Sequence, residues 1–201
     1  MFDDLRDQYF PCELPGGVVA QPADFGTYQT ARELLFDLVF PHWAAMQRYE
    51  APEARRAQTE PLNRIFQCLH HEHIVFYDGE KPVGWSTGRM ENPITFRMSS
   101  SGLLPDYRRR GIYTAFTRRL LDYLKAVGYE RVSSHHHPTN RAVLTAKLKL
   151  GFNITATILS EDVGAVVEVI CYLYQDRFRA FEQSLNLEPD FTRAPPPEIS
   201  E

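Results

Sequence analysis

Cysteine is scarce in this chain. The three present, Cys12, Cys68 and Cys171, stand far apart and form no Cys-x-x-Cys pair. That spacing excludes a disulfide framework and a cysteine zinc site, and it fits reduced, mostly buried thiols in a cytoplasmic protein. Basic charge is also short. Lys and Arg number 22 against 26 Asp and Glu, giving a formal net charge of −4. A nucleic-acid binder usually has the opposite balance, so no nucleic-acid partner is expected. No apolar run approaches the roughly 20 residues of a membrane span. The opening "MFDDLRDQYFPCELPGG" has neither a basic start nor an apolar stretch, so no secretory leader is expected. No internal repeat is visible. The Gly-Lys-Ser/Thr ending of a P-loop is missing, as is a dinucleotide-binding glycine fingerprint.

With 201 residues and 43% hydrophobic content, the chain is long enough for one domain with a real core. Gly16-Gly17 ends a polar leader, residues 1–16. "VVAQ" from Val18 reads as a short edge strand. From Asp24 a helical stripe runs through Leu34, Leu35, Leu38 and Val39 and closes at Pro41. A second helical region spans about Pro52 to Leu69, interrupted by Pro61, with Leu62, Ile65, Phe66 and Leu69 on one face. "HHEH", after Leu69, is taken as the end of that helix. The period then changes to two. Ile74–Tyr77, Val83–Met90 and Ile94–Leu104 form a meander joined by Asp78-Gly79 and Glu91-Asn92-Pro93 turns. Ile112, Phe116, Leu120 and Leu124 mark a helix that Gly128 stops. A strand ending in His135, His136 and His137 follows, then a helix from Asn140 to Gly151, then two strands. Residues 176–185 predict a last helix and the proline-rich remainder a disordered tail. This order predicts an α/β fold with a mixed sheet.

Between the meander and the helix from Ile112 stands "LPDYRRRGIY". A helix that begins near Gly111 leaves its first N–H groups unpaired, and its dipole adds positive potential there. Anions, phosphate above all, bind such ends. Glycine allows close approach, and arginines add charge-assisted hydrogen bonds. Taken alone, the motif is better explained by ordinary surface arginines at a turn.

A second motif adds weight to the first. Arg108-Arg109-Arg110-Gly111-Ile112-Tyr113 follows "LLPDY", and Asn140 precedes Lys149-Leu150-Gly151-Phe152. Together these resemble the GCN5-related N-acetyltransferases, the GNAT superfamily, over roughly residues 17–174. The resemblance implies a mostly antiparallel sheet of about seven strands flanked by helices. It also implies a domain over 17–175, followed by a helix and tail over 176–201. It implies acetyl-CoA as co-substrate, with direct transfer of acetyl to a primary amine of a small molecule or protein. A non-catalytic acyl-CoA-binding or regulatory module is the alternative. The N–H groups from Arg109 to Thr114, with Arg108, Gly111, Ile112 and Tyr113, would hold the pyrophosphate. Leu103 N–H would polarise the thioester carbonyl, next to Leu104. Asn140 would bond the pantetheine arm or a phosphate, and the arm would lie between Ser99–Leu103 and Ser133–His136. The last strands often pair two copies in this superfamily, so a homodimer is implied as well.

Two positions depart from the family pattern. Tyr113 replaces a small residue, and a side chain there is expected to crowd the phosphates. Lys147 replaces a frequent tyrosine that serves as general acid for the departing thiolate. It either sets a cation near the thiolate or a phosphate, or is a solvated lysine of "AKLKL". His135 is the histidine suited to pass a proton at neutral pH, and Tyr172 on the last strand is a further proton donor by residue type. A metal on the three histidines is not expected, because strand neighbours point to opposite faces. The acceptor is not legible, although His42, Trp43 and Tyr49 are of a type to line its pocket.

Overall fold

The structure is a computed structural model that describes residues 2–41, 51–160 and 163–185. His42, Trp43, Tyr49 and the expected tail lie outside the described residues. The segment before Gly16, expected as a leader, is folded into the sheet. Asp3–Arg6 makes one helical turn, α1, and Cys12–Leu14 is a strand, β1, antiparallel to β2 at Val18–Pro22. Phe10 and Leu14 are buried, which anchors a stretch that is polar on average. The predicted edge strand is therefore an inner one, and the sheet has eight strands instead of about seven.

Helix α2, Phe25–Val39, starts at Asp24, whose carboxylate accepts from Thr27 N–H at 2.7 Å. Tyr28, Ala31, Leu35 and Val39 are buried, while Leu34 and Leu38 of the expected stripe face solvent. Helix α3, Glu53–Gln67, runs through Pro61 without the expected break. Proline removes one N–H donor, but the Ala57 carbonyl that loses it is exposed and open to water. None of α3 is buried, and Leu62 and Ile65 are 66% and 67% exposed. The "HHEH" run does not end this helix. His71 opens strand β3, His71–Asp78, because Glu72 turns inward to accept from Tyr123 Oη at 2.5 Å and pairs with His70 at 2.8 Å.

Strands β4, Lys81–Asn92, and β5, Thr95–Leu103, complete the meander. Helix α4, Ile112–Val127, crosses to β6, Arg131–His136, which lies parallel to β5. Helix α5, Arg141–Lys149, and antiparallel strands β7, Phe152–Ser160, and β8, Gly164–Tyr172, follow, then α6, Gln175–Leu185. The sheet order is β1-β2-β3-β4-β5-β6-β8-β7.

The helices divide the sheet into two faces. On one, α4 buries Ile112, Phe116, Leu120 and Leu124, the row that the sequence predicts, against Phe76, Phe96 and Val132. Each such side chain contributes about 1.5–3 kcal/mol relative to leaving it in water. On the other, α2 packs Leu35 and Val39 against Trp85. The approach there is close: a Cβ on Gly102 would come within 2.7 Å of Val39 and 2.9 Å of Trp85.

Candidate active site

Sheet pairing opens a gap at one place. β5 and β6 pair from Thr95–Arg131 to Met98–Ser134 and no further. On the other side of β5, Thr87 pairs with Ser100 and Gly88 with Met98, so Ser99 is an extra, bulged residue. The bulge re-aims β5 at the point where β6 departs. Beyond it, Leu104 N–H donates to the Val83 carbonyl at 2.9 Å. Antiparallel pairing alternates, so the N–H groups of Leu103 and Ser101 point away from β4, into the gap. Sequence reading named Leu103 and missed Ser101. The bulge that sets this phase has no sequence signal beyond the run of three serines.

At the far end of β5 the chain turns through a short 3₁₀ segment, Pro105–Tyr107, into the arginine loop. Arg109 and Gly111 both take left-handed backbone conformations, φ 61° and 82°. Such a conformation suits glycine and is uncommon for arginine. It curls the loop so that successive N–H groups line a concavity in front of α4. The first hydrogen bond of α4 is Ala115 N–H to the Gly111 carbonyl. Among the described residues, no protein acceptor meets the N–H groups of Arg109, Arg110, Gly111, Ile112, Tyr113 or Thr114. Arg110 rests over the Tyr107 ring.

Arg108 does not belong to that concavity. Its N–H is bonded to the Pro105 carbonyl, and its guanidinium donates to the carbonyls of Leu103 at 2.9 Å and Val39 at 2.8 Å. It ties the end of β5 to the end of α2. Tyr113 does not crowd the concavity either. Its ring packs against the core, with Lys147 Nζ 5.8 Å from its centre. Burial raises its phenol pKa, so it stays neutral.

Lys147 departs most from expectation, since it is fully buried instead of solvated. The short helix α5 aims it at the sheet. Nζ donates to Met98 Sδ at 2.8 Å and sits 4.0 Å from the Phe152 ring centre. No carboxylate pairs with it among the described residues. Burial lowers its pKa to about 7, slightly offset by Cys171. Burial also lifts the Cys171 thiol to about 11. His136, bonded to Ser134 Oγ at 2.9 Å, is pushed down to about 4, first by burial and then by the Lys147 charge. Met98 is the last residue of β5 paired with β6, so Lys147 stands beneath the mouth of the gap on the α4 face.

The acetyltransferase (GNAT) family model matches residues 42–152, more than half of the chain. This chain belongs to the acetyltransferase (GNAT) family. No curated protein matches it. Among solved structures, it is similar to a putative acetyltransferase from Salmonella typhimurium held with its cofactor acetyl-CoA, at 17% identity and TM-score 0.57, covering 79% of this chain and 95% of the other. It is also similar to an N-acetyltransferase from Staphylococcus aureus, at 18% identity and TM-score 0.57, covering 78% and 99%. An IAA acetyltransferase from Bacillus cereus gives 14%, 0.53, 77% and 99%. At such identities the likeness is one of fold.

The other GNAT site residues named from sequence are not all brought together. Asn140 caps α5, its Oδ1 accepting from Val143 N–H at a long 3.4 Å. His135 lies on the α2 face, with Nδ1 2.7 Å from Arg97 Nη2 and Nε2 3.3 Å from Glu168 Oε1. A guanidinium can only donate, so Nδ1 accepts and the imidazole proton sits on Nε2. The basic nitrogen is therefore engaged. Tyr172 is apart from the group. It pairs with Arg131 at the start of β6, and its ring stacks on Phe181 of α6 at 5.0 Å. Of the cysteines, only Cys171 is buried; Cys12 is half-buried and Cys68 exposed. Among the described residues, no helix is long and apolar enough to cross a membrane, and no cluster of metal-ligand side chains occurs.

Proposed function

We propose that this protein is an acetyl-CoA-dependent N-acetyltransferase that moves acetyl to a primary amine by direct attack. The observation that carries the reading is the concavity of unpaired N–H groups from Arg109 to Thr114 at the head of a 16-residue helix. That arrangement fits a pyrophosphate. A pantetheine arm starting there would extend toward the gap between Ser99–Leu103 and Ser134–His136.

In the gap, the N–H groups of Ser101 and Leu103 supply donors for the oxyanion that develops on the thioester carbonyl. The neutral amine nitrogen forms the new N–C bond. The C–S bond breaks, and its electron pair leaves on sulfur. Lys147 serves as the proton donor to that sulfur, and the proton released by the amine restores the ammonium. A donor with pKa about 7 suits this task near neutral pH. His135 and Tyr172 are left out of the step, for the geometric reasons above.

Turnover of acetyl-CoA with a panel of primary amines, followed by release of free thiol, tests the reading. Thiol release that requires an amine supports it. One observation favours the binding-module alternative: the basic nitrogen of His135 is held by Arg97. Saturable acetyl-CoA binding with no thiol release for any amine would select that alternative.

A further inference from the structure

The cofactor concavity and Lys147 lie on the α4 face of the gap, so an acceptor approaches the carbonyl from the α2 face. The residues that meet it there include Arg89 of β4. Its Nη1 donates to Ser99 Oγ at 3.3 Å, and Ser99 is the bulged residue at the vertex of the gap. The Phe66 ring of α3 covers the guanidinium at 4.7 Å. Among the described residues, Arg89 has no carboxylate within ion-pair distance.

Its neighbours do not supply one. His71 sits opposite it on β3 and Arg97 opposite it on β5. The nearby Glu91 is taken by Arg97 at 3.3 Å and by Ser133 Oγ at 2.9 Å. Glu168 lies two strands beyond Arg97, bonded to His135 and Thr155. Partial burial and the Arg97 charge disfavour the Arg89 cation, and the Glu91 charge opposes them from beyond ion-pair distance. A half-buried guanidinium with free N–H donors and no anion is complementary to a planar carboxylate.

We propose that Arg89 receives a carboxylate of the acceptor, so that the amine acetylated is one that also bears a carboxylate, as an amino acid does. This rests on the acetyltransferase reading. Ser101 N–H lies two residues from Ser99, about 7 Å along the strand, so the flexible arginine reaches a carboxylate close to the reacting amine.

The test compares free amino acids with their carboxamides as acceptors, with acetyl-CoA saturating, in wild type, Arg89→Gln and Arg89→Lys. Wild type is expected to prefer the free acids by about tenfold or more in kcat/KM, the effect of one charge-assisted contact. Arg89→Gln brings that ratio toward one, and Arg89→Lys restores part of it. Equal turnover of acids and amides, a ratio unmoved by Arg89→Gln, or no turnover of any free amino acid overturns the inference. Acetyl-CoA titration of the same proteins is read separately. Loss of binding in wild type sinks the acetyltransferase reading itself. Intact binding with carboxylate-blind turnover sinks only the Arg89 assignment.

Discussion

On the α4 face of the gap, Lys147 is fully buried and its hydrogen-bond partner is a thioether. On the α2 face, Glu91, Arg97, His135 and Glu168 are half-buried or exposed and bonded to one another or to serine and threonine hydroxyls. A buried ammonium with no anion destabilises the fold, whereas a saturated surface network costs little. The contrast separates a residue retained at the expense of stability from residues whose bonds already account for them. It supports the role proposed for Lys147 and the omission of His135 from the proposed step.

The largest expected effect breaks the contrast at Lys147. Lys147→Met should lower amine-dependent turnover about 10²-fold or more, the size of a lost general acid, while acetyl-CoA still binds. The same variant should be more stable than wild type at neutral pH. The sign follows from linkage. The native pKa is about 7 against the ordinary lysine value of 10.5. Between those values the unfolded chain holds a proton that the native protein lacks, so wild-type stability rises with pH from about 7 towards 10.5. Below that window both states are protonated and the full penalty applies. Urea melts at neutral and alkaline pH should show this rise in wild type and its loss in Lys147→Met. Equal slopes in both would contradict the buried ammonium.

Arg108→Ala should come next, costing about 2 kcal/mol in denaturant unfolding. It removes donors from the Leu103 and Val39 carbonyls, which join the faces. His135→Gln should change turnover by less than about threefold, because glutamine can still accept from Arg97 and donate to Glu168. A loss comparable to that of Lys147→Met would return His135 to the chemistry and erase the contrast. The smallest effect is expected at Ile65→Glu on α3, within about 0.5 kcal/mol of wild-type stability by thermal melt, since that side chain is exposed.

Local and long-range features differ in how much the sequence discloses. The proposed cradle is local: Arg109, Gly111 and the apolar row from Ile112 adjoin in the chain, and one helix start explains them. The fold followed from period and turn signals in the same way. Side chains that depend on partners far along the chain were harder to read. Lys147 meets Met98, 49 residues away, and His135 meets Arg97, 38 residues away. Nothing in "AKLKL" distinguishes the buried lysine from its solvated neighbour. β1 joined the sheet through a hairpin with β2, and "HHEH" through pairing with β4 and the Glu72–Tyr123 hydrogen bond. Pro61 misled because its helix is exposed, where water replaces the missing bond.

The most direct test of the account is a calorimetric titration of acetyl-CoA into wild type and Gly111→Glu. A side chain at φ 82° is strained, and a carboxylate there opposes the pyrophosphate. The account predicts saturable binding in wild type and its loss in a variant that remains folded. Absence of binding in wild type, or equal binding in Gly111→Glu, would contradict the claim that the arginine loop is an acetyl-CoA cradle.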